Sequence, residues 1–134
     1  MSGHPPMIAV VDDDASVRRG LARLLRSAGY RTQTFASALE FLERRAGDDP
    51  ACLVLDVRMP GLSGFDLHEV LTGEGLDVPV VFITGHADLS MAGRTVKADG
   101  VDILAKPFDG QALLAAVERA LTRGQPSLVR LASS

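Results

Sequence analysis

Four places in the chain carry side chains that could do chemistry, and each directly follows a short apolar run. Asp12-Asp13-Asp14 comes after Met7 to Val11, Asp56 after Ala51 to Leu55, Thr84 after Val80 to Ile83, and Lys106 after Val101 to Ala105. Carboxylates brought together repel one another and raise each other's pKa unless a cation sits between them. Small, hard Mg²⁺ suits such a place, because it takes one or two carboxylates and fills its shell with water and phosphate oxygens. An aspartate beside that ion can attack phosphorus and carry the group as an aspartyl phosphate. A lysine ammonium and a threonine hydroxyl are fitting partners for phosphoryl oxygens, one supplying charge and the other a hydrogen bond. The residue types therefore point to phosphoryl transfer, provided the fold brings the four places together.

A parallel sheet would do so, since ligands in such sheets bind beyond the carboxyl ends of the strands, near a topological switch point. The chain reads as an alternation of strands and helices. Met7 to Val11, Ala51 to Leu55 and Val80 to Ile83 are continuous apolar runs, as expected of strands buried on both faces. Tyr30 to Phe35 alternates and reads as a less buried strand, followed only by Ala36 and Ser37, in keeping with an outer position. Val101 to Ala105 is a short fifth strand.

Between them, Val17, Leu21, Leu24, Leu25 and Ala28 form one helical stripe that Gly29 stops. Ser37-Ala38-Leu39-Glu40 has the form of a capping box opening a helix to about Gly47. After a Pro60-Gly61 turn, Ser63-Gly64-Phe65-Asp66 starts a third helix with Leu67, Val70 and Leu71 on one face. Asp88 to Ala98 is expected as a fourth helix, weakened by Gly93 and Thr95. Asp109 caps a last one, with Leu113, Ala116, Val117, Ala120 and Leu121 in its stripe. Strands alternating with helices predict an α/β fold with βαβ crossovers.

The 134 residues make one domain at about 150 per domain. An apolar content of 46% and a charged content of 23% exclude disorder and collagen-like order. A net charge of −3, no Trp and one Tyr argue against a nucleic-acid binder, which needs a basic surface and stacking platforms. The lone Cys52 lies in an apolar run and reads as a small buried hydrophobe in a reducing compartment. No apolar run approaches the roughly 20 residues of a membrane span, and Met1 to Pro6 lacks the features of a signal peptide. A cytoplasmic protein is the expectation.

Taken together, Val10-Val11-Asp12-Asp13-Asp14, Leu55-Asp56-Val57-Arg58-Met59-Pro60-Gly61, Ile83-Thr84-Gly85-His86 and Ala105-Lys106-Pro107-Phe108 resemble the signature segments of response-regulator receiver domains, most nearly the FixJ type. The resemblance covers about Met7 to Leu121. It implies a flavodoxin-like (βα)5 three-layer sandwich around a parallel five-stranded sheet of order 2-1-3-4-5. Residues 1–6 would be a disordered N-terminal extension, 7–122 the receiver, and 123–134 a C-terminal tail or linker root.

The resemblance also implies roles. Asp56 matches the phosphoacceptor, Thr84 the switch hydroxyl and Lys106 the phosphoryl-binding lysine, with a cis Lys106-Pro107 bond. Asp12, Asp13, Asp56 and the backbone carbonyl of Arg58 would hold Mg²⁺. The implied function is acceptance of a phosphoryl group from a sensor histidine kinase or phosphotransfer protein, followed by switched contacts with an effector protein or a second copy, either as a stand-alone receiver or as the receiver part of a FixJ-like transcriptional regulator. No enzyme activity on a separate substrate, no direct nucleic-acid binding and no membrane contact are expected. In place of the Tyr or Phe that receivers commonly carry three residues before the lysine stands Ile103.

Plainer readings compete at several positions. Asp14 reads better as an N-cap than as a ligand. Arg19, Arg23 and Arg26 line one face of the first helix, either as a solvated basic face or as a surface for the kinase. His86 and His4 read as exposed, His68 as lying on the polar side of its helix, and no pair of them has metal-ligand spacing. The five Phe residues read as core or core edge. A rival enzyme, an aspartate-nucleophile phosphatase, usually needs a second Asp where Arg58 stands. An FMN module needs a phosphate loop where Asp12 to Asp14 would repel the phosphate.

Overall fold

The computed structural model describes residues 5–44, 49–85, 102–106 and 109–123. In chain order they form β1 (Met7–Val11), α1 (Ala15–Ser27), β2 (Arg31–Phe35), α2 (Ala38–Arg44), β3 (Cys52–Asp56), α3 (Gly64–Gly73), β4 (Val80–Thr84), β5 (Asp102–Ala105) and α4 (Gly110–Arg123). The helix expected over Asp88 to Ala98 lies outside the described residues, as do His4, His86, Phe108 and the Lys106-Pro107 bond.

The strands form one parallel sheet of order β2-β1-β3-β4-β5, the flavodoxin-like arrangement. Side chains alternate across its two faces. Ala9, Val11, Leu53, Leu55, Val80 and Phe82 pack against α2 and α3 through Phe41, Leu67 and Leu71. Ile8, Val10, Cys52, Val54, Val81 and Ile83 pack against α1 and α4 through Leu21, Leu25, Leu113 and Val117. Burial on both faces is why these strands read as unbroken apolar runs. Each fully buried Leu or Ile among them stabilises the fold by roughly 1.5–3 kcal/mol. β2 lies at the edge, and only Phe35 of it is buried.

The chain leaves β1 for the edge through α1, then returns across β1 to β3 through α2. The carboxyl ends of β1 and β3 therefore lie side by side where the winding reverses, and Val11 pairs with Leu55 there.

Helix termini are closed by side chains. Asp14 caps α1, accepting from the Ser16 and Val17 N–H groups at 2.9 and 3.2 Å. Asp109 caps α4 through the Ala112 N–H at 2.8 Å. The Ser37–Glu40 capping box is only half formed. Ser37 Oγ accepts from the Glu40 N–H at 3.0 Å, but the Glu40 carboxylate accepts from Ala36 rather than Ser37, at 2.6 Å. The fully reciprocal box is Ser63 with Asp66, at the start of α3.

His68 departs from the expected polar face. It is half-buried, with its ring edge-on to Phe82 at 5.7 Å, beside the Phe65–Phe82 contact at 4.9 Å. Ile103, paired with Phe82, packs half-buried against the same cluster. Among the described residues, no helix is long and apolar enough to cross a membrane.

Candidate functional site

Beyond the carboxyl ends of β1 and β3 the polar residues converge. Asp12 directly follows β1, and its own N–H donates to the Phe35 carbonyl at 3.1 Å, continuing the pairing with β2. Its carbonyl accepts from the Arg18 guanidinium at 2.7 Å, and its Oδ1 accepts from the Asp14 N–H at 2.9 Å. The carboxylate is thus fixed by its own loop. Its other oxygen, Oδ2, is buried with no hydrogen-bond donor among the described residues. Asp13, the next residue, is exposed.

Asp56 ends β3 and is buried, with Oδ1 accepting from the Arg58 N–H at 3.2 Å. The loop behind it is drawn tight: the Val57 N–H donates to the Ile83 carbonyl at 2.9 Å, and the Gly64 N–H to the Val57 carbonyl at 3.0 Å. This closure depends on a glycine, because a Cβ at Gly64 would lie 2.5 Å from the Asp56 carbonyl oxygen. Gly61, in the expected turn, adopts φ +81°, which glycine reaches without penalty.

Thr84 ends the neighbouring β4 and is fully buried, its hydroxyl donating to the Gly85 carbonyl at 3.2 Å. Its carbonyl accepts from the Lys106 N–H at 2.8 Å, which anchors the start of the lysine's loop on β4. The Lys106 Nζ then lies 3.9 Å from Asp12 Oδ2 and 3.8 Å from Asp56 Oδ2. These separations suit an ion pair and are too long for direct hydrogen bonds.

Burial pushes the Asp56 carboxyl up to about 6 from the usual 3.8, with the Asp12 charge adding to the rise. The Lys106 ammonium and the Arg58 N–H oppose it. Asp12 is also raised, chiefly by burial and further by Asp13 and Asp14, against the Asp14 N–H and Lys106. One ammonium does not offset two buried carboxylates. Oxygens of Asp12, Asp13 and Asp56 lie within 4.8 Å of one another. Hard oxygen donors so crowded, one of them unsatisfied, fit a small divalent cation of the Mg²⁺ type.

The structure therefore brings together Asp12, Asp13, Asp56 and Lys106, and places Thr84 on the adjoining strand end. Asp14 stands apart as a cap. Two contributors were not singled out by sequence reasoning. Arg18 braces the Asp12 carbonyl, and its position one turn beyond the Asp14 cap is the only hint of it. Gly64 allows the tight return behind Asp56, and in sequence it reads merely as the first helical residue after Ser63.

A family model described as the response regulator receiver domain matches residues 8–118. Nodulation protein W of Bradyrhizobium diazoefficiens is 47% identical over 117 residues, which are 87% of this chain and 52% of that protein. Transcriptional regulatory protein FixJ of Azorhizobium caulinodans is 42% identical over 116 residues, 87% of this chain and 55% of that protein. The crystal structure of full-length FixJ from B. japonicum superimposes with a TM-score of 0.85 at 38% identity, covering 93% of this chain and 62% of that one. The chain thus spans about half the length of the curated relatives it matches.

Proposed function

From the premise that this chain belongs to the response regulator receiver domain family, we propose that Asp56 is its phosphoacceptor and that a sensor histidine kinase or phosphotransfer protein is the donor. A carboxylate oxygen of Asp56 attacks phosphorus of the donor's phosphohistidine. The P–O bond forms as the P–N bond breaks, and the departing imidazole nitrogen keeps the electron pair and takes up a proton. Later attack by water on the acyl phosphate returns the carboxylate and releases inorganic phosphate. The chain acts as the acceptor in this exchange and turns over no separate substrate.

Asp12, Asp13, Asp56 and the Arg58 carbonyl would hold Mg²⁺. When bound, the ion supplies positive charge against both the crowded carboxylates and the incoming phosphoryl oxygens. Lys106 brings its ammonium to the other side of that group, from a loop anchored to β4 by its own N–H. Thr84 exchanges its bond to the Gly85 carbonyl for one to the phosphoryl group, and the Gly85 end of β4 follows it. That displacement biases a two-state surface formed by β5, α4 and the helix expected over Asp88 to Ala98. The readers of that surface are an effector protein or a second copy of the chain. Residues 7–122 form the receiver, in a cytoplasmic protein.

The observation carrying this reading is the buried, unsatisfied Asp12 Oδ2 beside Asp56, with the Lys106 Nζ almost equally distant from both carboxylates. The test is intact mass after incubation with acetyl phosphate and Mg²⁺. The parent chain should gain one phosphoryl group and Asp56→Asn none. Gain of the group by Asp56→Asn at the parental rate would refute the assignment.

A further inference from the structure

We propose that the groove between α1 and the free edge of β2 is a docking site for an acidic segment of a partner protein. The groove encloses about 520 Å³. Its walls are Arg18, Arg19, Arg23 and Arg26, its floor includes the buried Ala22, and Thr34 of β2 stands exposed at its rim. Arg19, Arg23 and Arg26 recur at helical spacing, so their guanidinium groups repeat along about 10 Å of one helix side.

The groove is prepared for carboxylates. The Arg18 guanidinium is held on the Asp12 carbonyl at 2.7 Å and that of Arg26 on the Thr32 carbonyl at 3.0 Å, which reduces the freedom they would lose on binding. Each keeps further N–H donors in the fork that matches a carboxylate. Arg19 meets only the Ser16 hydroxyl, at 3.4 Å, and Arg23 forms no ion pair among the described residues. Glu40 feels the Arg18 charge, but its carboxylate is committed to the Ala36 N–H and to Arg44.

Among the described residues β2 pairs with β1 alone, leaving an edge along which an extended segment can lie. The lining favours an acidic peptide over a nucleic acid, because no aromatic ring borders the groove for base stacking. The opposite flank of α1, through Leu24, faces Gly110 of α4, so the groove is separate from that surface. Its occupant would also touch the loop of acidic residues through Arg18.

Fluorescence anisotropy of a labelled deca-glutamate peptide against the full chain tests this. Saturable binding is expected, weakening with added salt and falling roughly tenfold in the R19Q/R23Q variant. A thermal melt establishes that the variant is folded, and R23E alone replaces it if it is not. A single-stranded oligonucleotide of equal charge serves as the second probe. Absence of saturable peptide binding overturns the proposal, as does peptide affinity unchanged in the folded variants. Tighter binding of the oligonucleotide through the same two arginines overturns it in favour of a nucleic acid.

Discussion

Replacing Asp56 by Asn should make the protein more stable, not less, when no divalent metal is present. The Asp56 carboxyl is raised from 3.8 to about 6, first by burial and then by Asp12. Between those two values the folded chain holds a proton that the unfolded chain has released. Stability therefore falls as pH rises through this window, and above about pH 6 the whole cost is present. At about 1.4 kcal/mol per pH unit, the rise corresponds to about 3 kcal/mol. Asn keeps an acceptor for the Arg58 N–H and removes the charge. For a chain of 134 residues, about 3 kcal/mol is a Tm increase on the order of 10 °C. Circular-dichroism melts in EDTA should show that gain at pH 7.5 and almost none at pH 4. Added Mg²⁺ should narrow the gap by stabilising the parent through binding. An Asn variant no more stable than the parent at pH 7.5, or an advantage that persists unchanged at pH 4, would refute the electrostatic argument.

Gly64→Ala forces a Cβ against the Asp56 carbonyl and should cost roughly 1–3 kcal/mol in urea unfolding. It should also slow modification of Asp56 by acetyl phosphate, read by intact mass. Lys106→Ala removes the ammonium facing Asp12 and Asp56. Because the lysine is partly exposed, the loss should be about 1 kcal/mol at pH 7.5, and smaller at pH 4, where the Asp56 carboxyl carries a proton. Asp14→Ala deletes the α1 cap and should cost about 1 kcal/mol, with Asp14→Ser restoring most of it by the same melts.

Much of the architecture was legible because it is written in local periodicity. Ile8 to Val11 and Val80 to Ile83 are apolar throughout because both of their faces are covered, and the sequence shows this before any neighbour is known. The stripe from Val17 to Leu25 and the caps Asp14 and Asp109 are local features too. Asp12, Asp13, Asp56, Thr84 and Lys106 stand out because each ends or follows a strand, and parallel strands all deliver their carboxyl ends to one edge of the sheet. The capping box at Ser37 was misread because the motif records which residues can bond, not which N–H group is nearer. Likewise, helical spacing put His68 on a polar face, while Phe82 offered its ring a place to pack.

The strands, most of the helices and the residue types at the strand ends follow from the order of residues along the chain. It takes the packed fold to leave Asp12 Oδ2 without a donor among the described residues, to raise Asp56 to about 6, to bring Gly64 against the Asp56 carbonyl, and to set four arginines along a groove with β2. The physical reason is one of range. Secondary structure follows from contacts a few residues apart, whereas desolvation, electrostatic coupling and close backbone approach sum over neighbours from different strands, whose adjacency is set by the crossovers.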